Sequence, residues 1–160
     1  MTEDDKTFMR RAIELSAKTA LTDSTGGPFG AVIAQGGRII AEGANRVVAE
    51  SDPTWHGEMD AIRKACRAQG SFKLRDATLY TSAEPCPMCM AAAYWAGIAR
   101  IFYASTNADA LAYGNFDDSM IYAEVRKPIG ERSIPTRQIL RDEAIEVWKK
   151  YQKKSDRVPY

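Results

Sequence analysis

Residues 77–104 read ATLYTSAEPCPMCMAAAYWAGIARIFYA, and this stretch decides the fold. Ala77 to Ser82 is a short apolar run of strand length, read as a buried strand. Glu84-Pro85-Cys86-Pro87 leads into a helix from Pro87 to Ala96, with proline in its first turn and Gly97 just past its end. Ile98 to Ala104 is a second apolar run. A strand, a helix and a strand at this spacing form a crossover, which makes the two strands parallel.

Upstream, Phe29 to Ala34 and Ile39 to Ala44 are apolar runs joined by Gln35-Gly36-Gly37-Arg38. The glycine pair supplies the positive φ of a tight hairpin, so these strands are antiparallel. A helix with the stripe Phe8, Met9, Ala12, Ile13, Leu15 and Ser16 precedes them, opened by Thr2 and the acids Glu3, Asp4 and Asp5. A second helix is expected from near Thr54 to a stop at Gly70. An antiparallel hairpin followed by parallel units gives a mixed sheet with helices on its faces. Beyond it, Asn107 to Tyr113 and Met120 to Val125 read as short helices, and Ile134 to Leu140 as a strand or extended segment. Residues 142–160 form a final helix with an Ile145, Trp148, Tyr151 stripe and an extended tail. No linker or repeat interrupts the 160 residues, which read as a single domain, 1–160.

With 22 basic against 21 acidic residues the net charge is +1, which excludes the electrostatic footprint of a non-specific nucleic-acid binder. Three cysteines and no signal-like segment fit a reducing cytoplasmic setting better than a disulfide scaffold. No run reaches the roughly 18 apolar residues of a membrane span. There is one histidine, His56, so chemistry that needs an imidazole must use it.

His56-Gly57-Glu58 stands at the start of the second helix, and Pro85-Cys86-Pro87-Met88-Cys89 at the start of the third. Alone, Cys-x-x-Cys is equally a redox dithiol or a pair of half-buried thiols. Together the two pieces offer two thiolates and one imidazole, the donors that Zn²⁺ prefers, at helix ends whose partial positive charge favours thiolate. Residues two apart on a helix diverge by about 200°, so His56 and Glu58 can share a site only off the helix end. Cys66 lies ten residues past His56, roughly 15 Å along the axis, too far to ligate the same ion. Three protein ligands leave an open position, which points to catalysis; a carboxylate such as Glu58 as fourth ligand is the alternative. Two thiolates weaken the metal as a Lewis acid, and Glu58 is the natural general acid and base beside it.

The paired motif His-x-Glu and Pro-Cys-x-x-Cys is the signature of zinc-dependent base deaminases, and the chain resembles the cytidine and deoxycytidylate deaminase superfamily. Within it the likeness is greatest to small bacterial guanine deaminases. It rests also on Gly26-Gly27-Pro28-Phe29-Gly30-Ala31-Val32, Gly43-Ala44-Asn45, Asp52-Pro53-Thr54, the stretch 61–66 and Phe116-Asp117-Asp118-Ser119. The resemblance implies a three-layer α/β/α sandwich with a five-stranded mixed sheet. It implies one zinc on His56, Cys86 and Cys89, with Glu58 as proton shuttle. It implies that Asn45 holds the base, that Phe29 and Trp95 lie near the ring, and that Asp118, beside Asp117, contacts substrate and carries a second proton. The family's homodimers exchange a C-terminal segment, which here would bring Tyr160 to the partner's pocket.

Guanine suits these groups: a carboxylate accepts its adjacent N1–H and 2-amino donors together, and an aromatic wall stacks on the flat ring. Water activated at the site attacks C2, Glu58 protonates a ring nitrogen, and ammonia leaves. From the residues alone, Asn45 is equally a turn residue, Asp117 and Asp118 a helix cap, and Phe29 and Trp95 core side chains. The chain departs from the family at Trp55 and Gly57, which flank the metal ligand, at Ala83 before Glu-Pro-Cys, and at Asn115, an extra residue before Phe-Asp-Asp. His-Gly-Glu also occurs in fungal-type cytosine deaminases. The rival substrates are therefore cytosine, a triazine, a nucleoside and tRNA adenosine, and the rival class is a zinc-stabilised binding module without turnover.

Overall fold

Thr2 caps the first helix, α1 (Glu3–Ala17), through a reciprocal box. Its hydroxyl accepts from Asp5 N at 3.1 Å, while Asp5 Oδ2 accepts from Thr2 N at 2.6 Å. The chain widens into a π-helical stretch (Lys18–Asp23) and leaves it through Ser24 in the left-handed region. Strands β1 (Gly30–Gln35) and β2 (Arg38–Ala44) follow as the expected antiparallel hairpin, with φ of +58° at Gly36 and +75° at Gly37. After a single helical turn, α2 (Val47–Glu50), comes α3 (Gly57–Gln69). This helix begins three residues later than the sequence reading placed it. The Asp52 carboxylate accepts from both Thr54 N and Thr54 Oγ1, a local turn that keeps residues 52–56 out of the helix.

The decisive stretch folds as β3 (Thr78–Ala83), α4 (Pro87–Ala96) and β4 (Arg100–Ser105), with Gly97 left-handed at the helix end. The sheet order is β2-β1-β3-β4. β1 runs antiparallel to both neighbours, and β3 and β4 are parallel. The sheet is therefore mixed, but it has four strands among the described residues where five were expected. The candidate segment 134–140 pairs with no strand, and Pro135 withholds one of the N–H groups that a ladder needs.

The two faces of β1 show why the fold has three layers. Ala31 and Ile33, with Leu79, pack against Ala61, Ile62 and Ala65 of α3 and Ala93 and Ala96 of α4. Val32 and Ala34, with Tyr80, pack against Ala12 of α1 and its neighbours Phe8, Met9 and Leu15. Strand alternation thus sends one set to each helical layer.

The computed structural model describes residues 2–158, which divide into two units between Asp118 and Ser119. The first ends with α5 (Asn107–Gly114), capped by Thr106. The second holds α6 (Ser119–Arg126), a 3₁₀ turn (Ile129–Glu131) and α7 (Arg141–Lys153), on which Trp148 and Tyr151 meet edge to face. Of the extended end expected over 158–160, residues 159 and 160 lie outside the described residues. Among the described residues no helix is long and apolar enough to cross a membrane.

The α1 layer is joined to the sheet by one buried polar bond, Tyr80 OH donating to Asp5 Oδ1 at 2.6 Å. That donation, and then the Thr2 N–H, hold the Asp5 carboxyl down at about 2, while burial and the same bond push the Tyr80 phenol up to about 12. As pH falls, the unfolded chain therefore takes up the Asp5 proton first, and the stability this pair contributes is lost between about pH 4 and pH 2. Thermal unfolding of wild type and Tyr80→Phe should differ at pH 6, with the gap closing through that window. A gap unchanged at pH 2 would contradict the assignment.

Candidate metal centre and substrate pocket

The site is assembled by seating the start of α3 against β2. A Cβ at Gly43 would lie 2.0 Å from Gly57 O and 2.4 Å from Ala61 N, so this approach is backbone on backbone and only glycine permits it. His56 is the N-cap of α3, with extended φ and ψ of −74° and 156°. Cys86 is the N-cap of α4 at −66° and 167°, followed by Pro87 and then Cys89 in the first turn. Neither N-cap makes a side-chain capping bond. Both side chains are free to turn toward each other across the gap between the two helix ends.

They meet. Cys86 Sγ lies 3.5 Å and Cys89 Sγ 3.6 Å from His56 Nδ1, and the three donor atoms lie within 4.8 Å of one another. Bonds of about 2.0–2.3 Å at a tetrahedral ion put such donors about 3.6 Å apart. The spacing and the two-sulfur, one-nitrogen set both fit zinc. Cys66 stands apart as a free, half-buried thiol, and burial pushes it up. The Cys89 thiol and then the His56 ring draw the Cys86 thiol down to about 4, so this sulfur is held as thiolate.

Glu58, in the first turn of α3, is fully buried, and burial pushes its carboxyl up. Thr81 Oγ1 donates to Oε1 at 3.2 Å, and Oε2 is 3.5 Å from Cys89 Sγ. A carboxyl raised toward neutrality beside the metal position can both accept and return a proton. Next to it opens a cavity of about 330 Å³. His56, Glu58 and Cys86 line it together with the aromatic pair Phe29 and Phe116 and the apolar residues Val47, Val48 and Pro53. Phe29 and Phe116 pack edge to face with centroids 5.0 Å apart.

Of the residues singled out in the sequence, His56, Glu58, Cys86, Phe29, Asn45 and Asp118 all line this cavity, and Cys89, buried and outside the lining, completes the donor set. The Asn45 carbonyl oxygen accepts from Val47 N at 3.1 Å, which leaves its amino group as the end offered to a ligand. Asp118 is half-buried, and that burial pushes its carboxyl up. Asp117 is exposed and outside the lining. Trp95 is also outside it, 63% exposed on α4. Tyr160 lies outside the described residues.

Glu84, Val47, Val48, Pro53 and Phe116 line the cavity without having been assigned a role from sequence. Glu84 also accepts from Asn107 N at 3.1 Å, tying the approach to Cys86 to the start of α5. Thr81 was missed too. The available signal was strand alternation: Leu79 and Thr81 share a face, so a hydroxyl sits on the side that packs against α3 and α4.

Residues 2–105 match the family model described as the cytidine and deoxycytidylate deaminase zinc-binding region. The chain is 47% identical to guanine deaminase of Bacillus subtilis (strain 168) over 154 residues, covering 94% of this chain and 97% of that protein. An X-ray structure of guanine deaminase from Bacillus subtilis superposes with a TM-score of 0.92 at 46% identity, covering 97% of this chain and 98% of the other. A guanine deaminase structure from Nitrosomonas europaea gives 0.64 at 31% identity, covering 90% of this chain and 82% of that one.

Because Gly43 seats the ligand-bearing end of α3, Gly43→Ala should weaken zinc binding on the order of tenfold or more, the cost typical of disturbing a ligand's support. Chelator competition measures this, with circular dichroism to establish that the helices persist. Affinity within twofold of wild type would show that the close approach does not set the ligand geometry.

Proposed function

The chain belongs to the cytidine and deoxycytidylate deaminase family, with zinc as its cofactor, and from that premise we propose that it hydrolyses free guanine to xanthine and ammonia. The observation that carries this reading is a buried carboxylate, Glu58, beside a three-donor metal set in a pocket that also presents Asn45 and Asp118. The near full-length identity to a guanine deaminase supports the choice of base.

Zinc held by His56, Cys86 and Cys89 supplies Lewis acidity that makes water nucleophilic near neutral pH. Glu58 accepts the proton that this water gives up and delivers it to a ring nitrogen as the C2–O bond forms. Asn45 donates from its amino group to an acceptor on the base. Asp118 accepts from the adjacent N1–H and 2-amino donors. As the C2–N bond breaks, the new C2 hydroxyl gives up its proton to this carboxylate, which passes it to the departing nitrogen, and ammonia leaves as the C2 carbonyl forms. Phe29 packs against the ring, with Phe116 behind it, and excludes water. The pocket lining contains Glu58, Glu84 and Asp118 and no lysine or arginine. Such a lining repels phosphate, which favours a neutral base over a nucleotide or RNA.

The proposal extends to assembly. Helix α4 carries no charged residue, and the face opposite its packed side shows Tyr94 at 79% and Trp95 at 63% exposure. An apolar surface of this kind suits a second copy of the chain. In that homodimer, residues 142–160 of one chain cover the pocket of the other, bringing Tyr160 to the substrate. The whole chain, 1–160, then works as one catalytic domain. Three unpaired cysteines, two of them ligands, suit the reducing cytoplasm.

Ammonia release across guanine, adenine, cytosine, triazines and guanosine tests the substrate. Guanine should be fastest, and Glu58→Ala should lower its rate by about 10²-fold or more with zinc retained near one per chain. Guanine turning over no faster than the rest would remove the substrate assignment while sparing the deaminase. For the exchanged tail, a chain truncated after Ser155 should lose activity, and mixing it with inactive Glu58→Ala chains should restore part of it. In the mixed dimer one pocket has both Glu58 and an intact tail. No recovery on mixing would rule out a tail acting across the dimer.

A further inference from the structure

Glu58 has two oxygens in different surroundings. Oε1 receives the Thr81 hydroxyl at 3.2 Å, and Oε2 lies 3.5 Å from Cys89 Sγ, at the edge of the metal ligand set. A Cys89 that serves as a ligand is a thiolate and has no proton to donate. The Thr81 hydroxyl is then the side-chain donor that remains to this carboxylate among the described residues, and Thr81 is 1% exposed on the buried strand β3. β3 is held on both sides, by β1 at Ala31 and by β4 at Tyr103, opposite Thr81 itself. The hydroxyl is therefore fixed by the centre of the sheet.

Resting on the deaminase reading above, we propose that Thr81 is a positioning residue that anchors Glu58 Oε1, so that Oε2 alone exchanges protons with water and base. The division follows from geometry. A buried carboxylate with one oxygen tied to a rigid strand cannot rotate that oxygen into the pocket without losing the bond, which costs more when the group is buried. A proton carrier held in one orientation is in place for both halves of the reaction, accepting and then delivering. Thr81 does not touch the substrate cavity, so it acts only through Glu58.

The test uses zinc-loaded Thr81→Val, which keeps the shape and removes the hydroxyl, and Thr81→Ser, which returns it. Thr81→Val should lower kcat for guanine about tenfold or more, the scale of one hydrogen bond to a charged group, with KM within about twofold and zinc stoichiometry unchanged. Thr81→Ser should recover most of kcat. Infrared difference spectra, with Glu58→Gln identifying the carboxyl band, give a readout that needs no turnover: the band should shift in Thr81→Val and return in Thr81→Ser. Wild-type kcat in Thr81→Val with an unmoved band overturns the proposal. So does a loss that Thr81→Ser fails to repair, or one shared by KM and zinc content, since that would be a structural defect. If wild type releases no ammonia from guanine, the substrate reading fails instead, and the band shift still decides the role of Thr81.

Discussion

The approach of α3 to β2 at Gly43 is the constraint on which the site depends. A backbone carbonyl and a backbone amide occupy the space where any other residue would place its Cβ. This sets how deep the helix start sits, and hence where its N-cap, His56, and the next residue but one, Glu58, project. The opposing helix start is set separately, by β3 and Pro87, and it carries Cys86 and Cys89. The donors converge to 3.5–3.6 Å because two independently built helix ends face each other across one gap. The bodies of the two helices share one core of small side chains, Ala61 and Ala65 on α3 and Ala93 and Ala96 on α4.

The same arrangement has a thermodynamic side. Helix N-termini are usually satisfied by a capping oxygen, worth about 1 kcal/mol each. Here the caps of α3 and α4 are an imidazole and a thiol that make no capping bond. The positive helix ends are left to act on the groups between them, favouring the thiolate form of Cys86 and the charges at the site. By contrast α1 and α5, away from the metal position, have full capping boxes. Optimal capping was available to this sequence and is absent where the ligands stand. A metal held by His56, Cys86 and Cys89 would compensate for the two uncapped ends, which would link zinc to the stability of this layer as well as to its chemistry.

What could be read from sequence follows from how local each signal is. The Gly36-Gly37 hairpin and the β3–α4–β4 crossover were legible because punctuation residues fix them within a few positions. The metal set was legible because ligand chemistry constrains residue type as well as spacing, and one histidine left no competing choice. The start of α3 was misplaced because an Asp52–Thr54 turn looks, in sequence, like the opening of a helix. The expected fifth strand is absent among the described residues: 134–140 has strand-like composition but stays unpaired, and pairing is a property of neighbours. Thr81 was passed over for the same reason. A threonine in an apolar strand is ordinary until the helix that crosses it is known to carry a buried glutamate.

The two carboxylates of the pocket differ in what holds them, and that difference suits different tasks. Glu58 is rooted in the rigid layer, on a helix packed by backbone contact and anchored to the central strand. Asp118 stands at the end of a loop whose fixed point is aromatic. Asn115 takes the left-handed conformation, with φ of 57°, that ends α5, and Phe116 then folds onto Phe29. That positive φ gives the extra residue before Phe-Asp-Asp a physical use, because it turns the chain back so that Phe116 reaches the pocket wall. Asp118 follows two residues later, immediately before α6. The rigid acid can serve a proton that must travel between fixed positions. On the proposed reading, the loop-borne acid is the one suited to adjust to the edge of the base and to reach the nitrogen that departs.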